Sequence, residues 1–158
     1  MVAKKKAEAK SAEAVAKEVE GFIDKFEPAM AKMIREVRAS VRKRLPGANE
    51  LVWDNYNFFV LGYSPTERPS DSWISLAANA KGVGLCFYWG AELPDPKGIL
   101  QGSGSQNRFV RLVDGVKTLK DARVDDLIQA AVDNGEPMPK GKGVTVVRSV
   151  AAKQRPRR

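Results

Sequence analysis

Two apolar, β-prone runs constrain this chain more than anything else in it. They are residues 73–78 (WISLAA) and 83–89 (VGLCFYW), and only Asn79-Ala80-Lys81-Gly82 lies between them. β-Branched and aromatic residues fit a pleated, half-buried surface, and a short Gly-containing connection has the length of a hairpin turn. An isolated hairpin is marginal in water, so the rest of the chain must supply more strands and something to lie on them. Residues 57–63 (NFFVLGY) read as a strand before the hairpin, and residues 108–113 (RFVRLV) alternate as a strand after it. Strands that are near neighbours in sequence pair antiparallel.

The cover is predicted on either side. From Ser11, the residues Val15, Val19, Phe22, Ile23 and Phe26 recur at helical spacing and form one stripe. Pro28 breaks a helix interior but suits a first turn, so a second helix is expected to begin near Glu27. It carries Met30, Met33, Ile34, Val37, Val41 and Leu45 on one face and Lys32, Arg35, Arg42 and Lys43 on the other, and Pro46-Gly47 ends it. Asp121 can cap a third helix with Val124, Leu127, Ile128 and Ala131 inward, stopped by Asn134-Gly135. The expected fold is α+β: a two-layer sandwich, with an antiparallel sheet and helices packed on one face. Residues 50–56 read as an aromatic and polar connection, 64–72 as a loop, and 90–107 as a long loop shortened by a helical turn near 97–101. Residues 144–147 can form a late strand, whereas 151–158 read as disordered. The domain division is a basic N-terminal tail at 1–10, a single domain at 11–136, and a basic Pro/Gly linker and C-terminal tail at 137–158.

The formal charge is +8, and it is unevenly placed. Residues 1–10 hold four Lys and one Glu, residues 140–158 hold seven Lys/Arg and no acid, and the remainder holds sixteen basic and eighteen acidic side chains. Basic ends imply salt-sensitive attraction to polyanions, and a nucleic-acid contact through 140–158 is one expectation; a solubilising end with no partner is the other. Histidine is absent, which removes Ser-His-Asp and Cys-His catalysis and any imidazole zinc site. The one cysteine, Cys86, lies in an apolar run and reads as a buried, inert thiol in a reducing compartment. No apolar run approaches the length of a bilayer span. The expected location is cytoplasmic, with no membrane partner.

Three constellations are candidates for chemistry. Gly102, Ser103, Gly104 and Ser105, with Arg108, form a small-residue loop whose N–H groups can converge on an anion beside an arginine. It lacks the Lys-Ser/Thr ending of a phosphate loop and leads into a strand, where a phosphate loop leads into a helix. Arg108 and Arg111 are three apart, so on a strand they face opposite ways. Glu50, Trp53 and Tyr56 can line a small-molecule pocket, or close the end of the core. Asp121 and Asp125 share one helix face and can hold a hard cation, although acids in a first turn also suit the helix macrodipole.

The ordered set of pieces from Val15 to Val132 resembles the YdhG-like family, a domain of unknown function. The resemblance rests on a helical start, a Pro-x-x-x-Glu element at Pro46 and Glu50, and a strand with aromatics at 56–63. An apolar hairpin at 75–89, a Gly-rich element leading to a basic strand at 102–112, and a closing helix at 124–132 complete it. It implies a frataxin-like sandwich. For one branch of the family it also implies an iron chaperone working through surface carboxylates, and Glu13, Glu20, Asp24 and Glu27, with Asp121 and Asp125, are the acids that would serve here. No cofactor is expected otherwise. The primary expectation is a non-enzymatic intracellular binding module for a small anionic ligand or a protein partner. An iron-binding chaperone and a nucleic-acid-associated protein are the alternatives. An enzyme has least support, since no base, nucleophile and orienting group occur together.

Overall fold

The computed structural model describes residues 10–158, so the expected basic tail at 1–10 lies outside the described residues except for Lys10. Helix α1 (Ala12–Ile23) starts where the Ser11 side chain accepts a hydrogen bond from the Ala14 N–H at 3.1 Å, the usual side-chain satisfaction of an orphan helix donor. Helix α2 (Pro28–Arg44) begins on the proline, as expected, and ends on Arg42, Lys43 and Arg44, whose charges suit the negative end of the helix. Strands β1 (Asn49–Asp54), β2 (Phe59–Ser64), β3 (Ile74–Asn79), β4 (Gly82–Phe87) and β5 (Arg108–Arg111) follow. Helices α3 (Val116–Leu119) and α4 (Ala122–Asn134) precede a last strand, β6 (Thr145–Val150).

The sheet order is β5-β4-β3-β2-β1-β6. From β1 to β5 it is an antiparallel meander, as expected for its four anticipated strands. The sixth strand makes the sheet mixed, because β6 runs parallel to β1 with a bulge at Val52/Trp53. The four helices pack against one face, giving a two-layer α+β sandwich. Inward positions alternate along each strand: Phe59, Leu61 and Tyr63 on β2, Ile74, Leu76 and Ala78 on β3, and Val83, Leu85 and Phe87 on β4 are all buried. Phe22 and Phe26 tilt against Phe59 at ring-centroid distances of 6.0 and 6.2 Å, contacts that add about 0.5–1.5 kcal/mol each beyond area burial. The opposite face presents small residues, with Ser75 paired to Gly62 and Cys86, and Ala77 paired to Gly84.

Three expectations are corrected. Residues 49–54 are a strand and not a connection. Glu50 and Asp54 occupy inward positions on either side of Val52, and both carboxylates are buried. Residues 137–158 are not a free linker and tail. Gly143 lies so close to β1 that a Cβ there would meet the Ala48 carbonyl oxygen at 1.8 Å. This approach brings the Val144 carbonyl to the Glu50 N–H at 2.9 Å and starts the parallel ladder. Beyond β6, the Ala151 N–H donates to the Asp54 carbonyl at 2.8 Å, the Arg155 N–H donates to the Tyr56 carbonyl at 2.9 Å, and Arg157 is 4 % exposed. Finally, no helical turn forms at 97–101. The Asp95 carboxylate instead accepts from the Ile99 and Leu100 N–H groups, and Gln101 bridges to Phe109.

Candidate functional site

Three segments far apart in sequence meet at one end of the sheet. The loop before β3 winds through a 3-10 turn, Pro69–Asp71, and delivers Trp73. The chain leaving β4 passes Trp89 and makes a second 3-10 turn, Gly90–Glu92. Helix α4 ends there on Asn134, followed by its capping Gly135 and then Glu136. Between them lies a cleft of ≈ 650 Å³. Its walls are aromatic, with Trp73 and Phe87 buried and Trp89 43 % exposed. Each indole is anchored by its N–H: Trp73 donates to the Glu136 carbonyl at 3.1 Å and Trp89 to the Ser70 carbonyl at 3.2 Å. Glycine at 135 is required by the fit, since a Cβ there would lie 2.6 Å from Trp73 Cδ1. The polar rim holds Arg68, Asp71, Glu92, Asn134 and Glu136. Aromatic walls with a few placed polar groups are the usual make-up of a small-molecule site.

The sequence-derived candidates fall elsewhere. In the Gly-rich loop, Ser103, Gly104 and Ser105 lie around a chain reversal in which Arg108 donates to the Gly104 and Asn107 carbonyl oxygens. Its guanidinium is thus held by the loop itself. Arg108 and Arg111 do face opposite ways: Arg108 pairs with inward Phe87, while Arg111 is exposed beside Phe109. Gly102 has φ +114, a conformation that favours glycine, and it serves the Gln101–Phe109 bridge.

Glu50, Trp53 and Tyr56 do not share a pocket. Trp53 lies on the outer face, where a Cβ at Gly62 would come within 3.0 Å of it. Tyr56 lies beyond β1, with the Arg155 guanidinium 5.7 Å from its ring centroid. Glu50 points at the helices and anchors a buried network. Arg38 Nε donates to its Oε2 at 3.0 Å and Arg38 Nη2 to its Oε1 at 2.8 Å. The Tyr63 hydroxyl donates to Oε2 at 2.7 Å, and the Thr145 hydroxyl to Oε1 at 3.0 Å. Burial pushes the Glu50 carboxyl up, but Arg38, the Tyr63 hydrogen bond and the Arg42 charge together hold the pKa below its ordinary value. Burial, joined by the Glu50 charge, pushes Tyr63 well above the usual phenol value. Asp54 follows the pattern of Glu50. Burial raises it, and hydrogen bonds from Lys25, at 2.7 Å, and Arg157, at 2.9 Å, bring it below the ordinary value.

The proposed metal acids are scattered and mostly paired. Glu20 and Asp24 both accept from Arg35. Asp125 accepts from Arg44 at 3.0 Å. Asp121 caps α4 through the Arg123 N–H and also binds the Arg123 side chain, which holds its pKa down to about 2. Glu13 and Glu27 are exposed at the start of α1 and the start of α2. Among the described residues, no three His, Cys, Asp or Glu side chains come together to hold a metal ion. The basic charge of 140–158 is partly tied to the fold, with Arg157 donating to Asp54 and Asn55 and Arg158 to the Lys25 carbonyl. No helix among the described residues is long and apolar enough to cross a membrane.

Sequence reasoning missed the cleft because it read Trp73 and Trp89 only as the ends of strands. The available signal was that each tryptophan borders a polar or Pro/Gly-rich loop. Nothing in the pattern joined them to Glu136. Compared with protein-family models, curated proteins and solved structures, the chain matches none of them.

Proposed function

We propose that this protein is a non-enzymatic binding module whose ligand occupies the cleft between Trp73, Trp89 and the end of α4. The observation that carries this reading is the pair of indoles fixed by their N–H groups on the walls of one cleft. Rings held in place before a ligand arrives lose little freedom when it binds. A binding role is favoured over catalysis by the serines of the cleft. Among the described residues, neither Ser70 nor Ser72 donates its hydroxyl to a carboxylate or amine that would take its proton. The YdhG-like resemblance and an intracellular setting belong to the same proposal and leave the ligand open.

The test is a fragment screen on 15N-labelled protein, followed through the three indole N–H signals. Ligands of the cleft should move the Trp73 and Trp89 signals and leave Trp53, on the outer face, in place. If fragments move only the 102–108 amides, the small-anion loop is the site and the cleft is only a seam between elements.

A further inference from the structure

Resting on that reading, we infer that the ligand of the cleft is an organic cation carrying an alkylated ammonium group. The rim gathers the carboxylates of Asp71, Glu92 and Glu136 around the aromatic walls. It also receives the C-terminal end of α4, a helix of 13 residues, whose last carbonyls present a partial negative charge. Among the described residues, neither Glu92 nor Glu136 makes an ion pair. Arg68 is the one basic side chain on the rim, and it leans on Asp71 at 3.9 Å while remaining largely exposed. On a chain of formal charge +8, this is a local reversal of sign.

Charge and wall material together select the ligand class. An anion would meet the carboxylates of Glu92 and Glu136, unpaired among the described residues, and a helix C-terminus. A bare metal ion needs several converging oxygens, and no such group of side chains occurs among the described residues. A neutral apolar ligand would satisfy the exposed Trp89 indole but leave the rim carboxylates unanswered. An alkylated ammonium satisfies both features, because its methyl groups pack on the exposed Trp89 ring, its charge is drawn to that ring's face, and the carboxylates add longer-range attraction.

The test compares choline and tetramethylammonium with the neutral carbon isostere of choline, in which a tert-butyl group replaces trimethylammonium, by the Trp73 and Trp89 indole signals. Both cations should move these signals, and the isostere should bind roughly tenfold more weakly or worse. Trp89→Leu should weaken choline binding by roughly three- to tenfold, the range expected for one lost cation–ring contact. The double variant Glu92→Gln/Glu136→Gln should weaken choline and leave the isostere unchanged, and added salt should do the same. Equal binding of choline and isostere overturns the cationic inference while leaving the cleft a binding site. Failure of cationic, neutral and anionic fragments alike to move either indole overturns the binding reading itself. A peptide bearing trimethyl-lysine separates two sources of the same chemistry. Tighter binding than choline assigns the cation to a protein side chain, and equal or weaker binding assigns it to a free small molecule.

Discussion

Replacing Arg38 by methionine should be among the most damaging single changes in this protein, and its pH dependence should run opposite to that of the wild type. Arg38 supplies two of the four side-chain groups that donate to Glu50 counted by atom, Nε and Nη2, and Glu50 is 2 % exposed. Methionine keeps much of the length and none of the charge, leaving a buried carboxylate with only the Tyr63 and Thr145 hydroxyls. Removing one partner of a buried pair costs about 3–5 kcal/mol. For a domain of this size that lowers the melting temperature by roughly 10 °C or more. The double variant Arg38→Met/Glu50→Gln removes both charges and keeps an acceptor for Tyr63, so it should recover about 1–3 kcal/mol of the loss. The sign of the pH effect follows from linkage. In the wild type, the Glu50 pKa lies below its reference of 4.5. Its contribution is therefore present above that value and lost as pH falls through the depressed pKa. In Arg38→Met, burial dominates and the folded pKa rises above the unfolded one, so stability is lost as pH rises through the carboxylate range. Urea unfolding of the three proteins at several pH values between about 3 and 8 measures all of this. A loss below about 1 kcal/mol, a double variant as unstable as the single, or an unchanged pH profile would refute the reasoning.

Asp54 is also held below its reference of 3.8, so Asp54→Asn should flatten the acid limb of the wild-type stability curve, and an unaltered limb would show that its pairs with Lys25 and Arg157 contribute nothing. Arg157→Leu should cost about 1.5–3 kcal/mol by thermal or urea unfolding, and deletion of 144–158 should cost more, because β6 goes with it; stability unchanged by the deletion would mean that the parallel strand does not hold. Gly135→Ala should destabilise by about 1–3 kcal/mol and displace the Trp73 indole signal, since the added Cβ falls within 2.6 Å of the ring; an unmoved signal would count against the close packing. Burial raises the Cys86 thiol pKa, so the native protein should react with a thiol reagent at neutral pH far more slowly than the unfolded protein does, and equal rates would refute this.

The meander and its helical cover were legible because their inward positions are apolar and periodic. Ile74, Leu76 and Ala78 face Val83, Leu85 and Phe87 across a turn too short for any other pairing. β1 was illegible for the opposite reason. Two of its three inward positions are Glu50 and Asp54, and what makes a carboxylate acceptable there is Arg38 on α2, Lys25 after α1 and Arg157 beyond β6. No local pattern reports partners at such distances. β6 was only half visible, because its residues are at most partly buried and its pairing partner lies at the start of the sheet. The candidate site was harder still. A Gly/Ser loop looks like a ligand cradle in one dimension, whereas the cleft exists only after three separate segments have docked.

The parallel seam between β1 and β6 also has a kinetic meaning. Among the described strands β1 is synthesised first and β6 last, so one edge of β1 has no partner while β3, β4, β5, the helices α3 and α4, and β6 itself are still being made. An unpaired edge is a template for joining another chain, and long-range pairings close slowly. During that interval, Glu50 and Asp54 have only the earlier Arg38 and Lys25 as charged partners, before Thr145 and Arg157 exist to complete their sites. Inward-pointing charges of this kind discourage a second β1 from adding in register, because like carboxylates would be brought together. The same two acids that anchor the finished strand thus guard the edge of the growing chain.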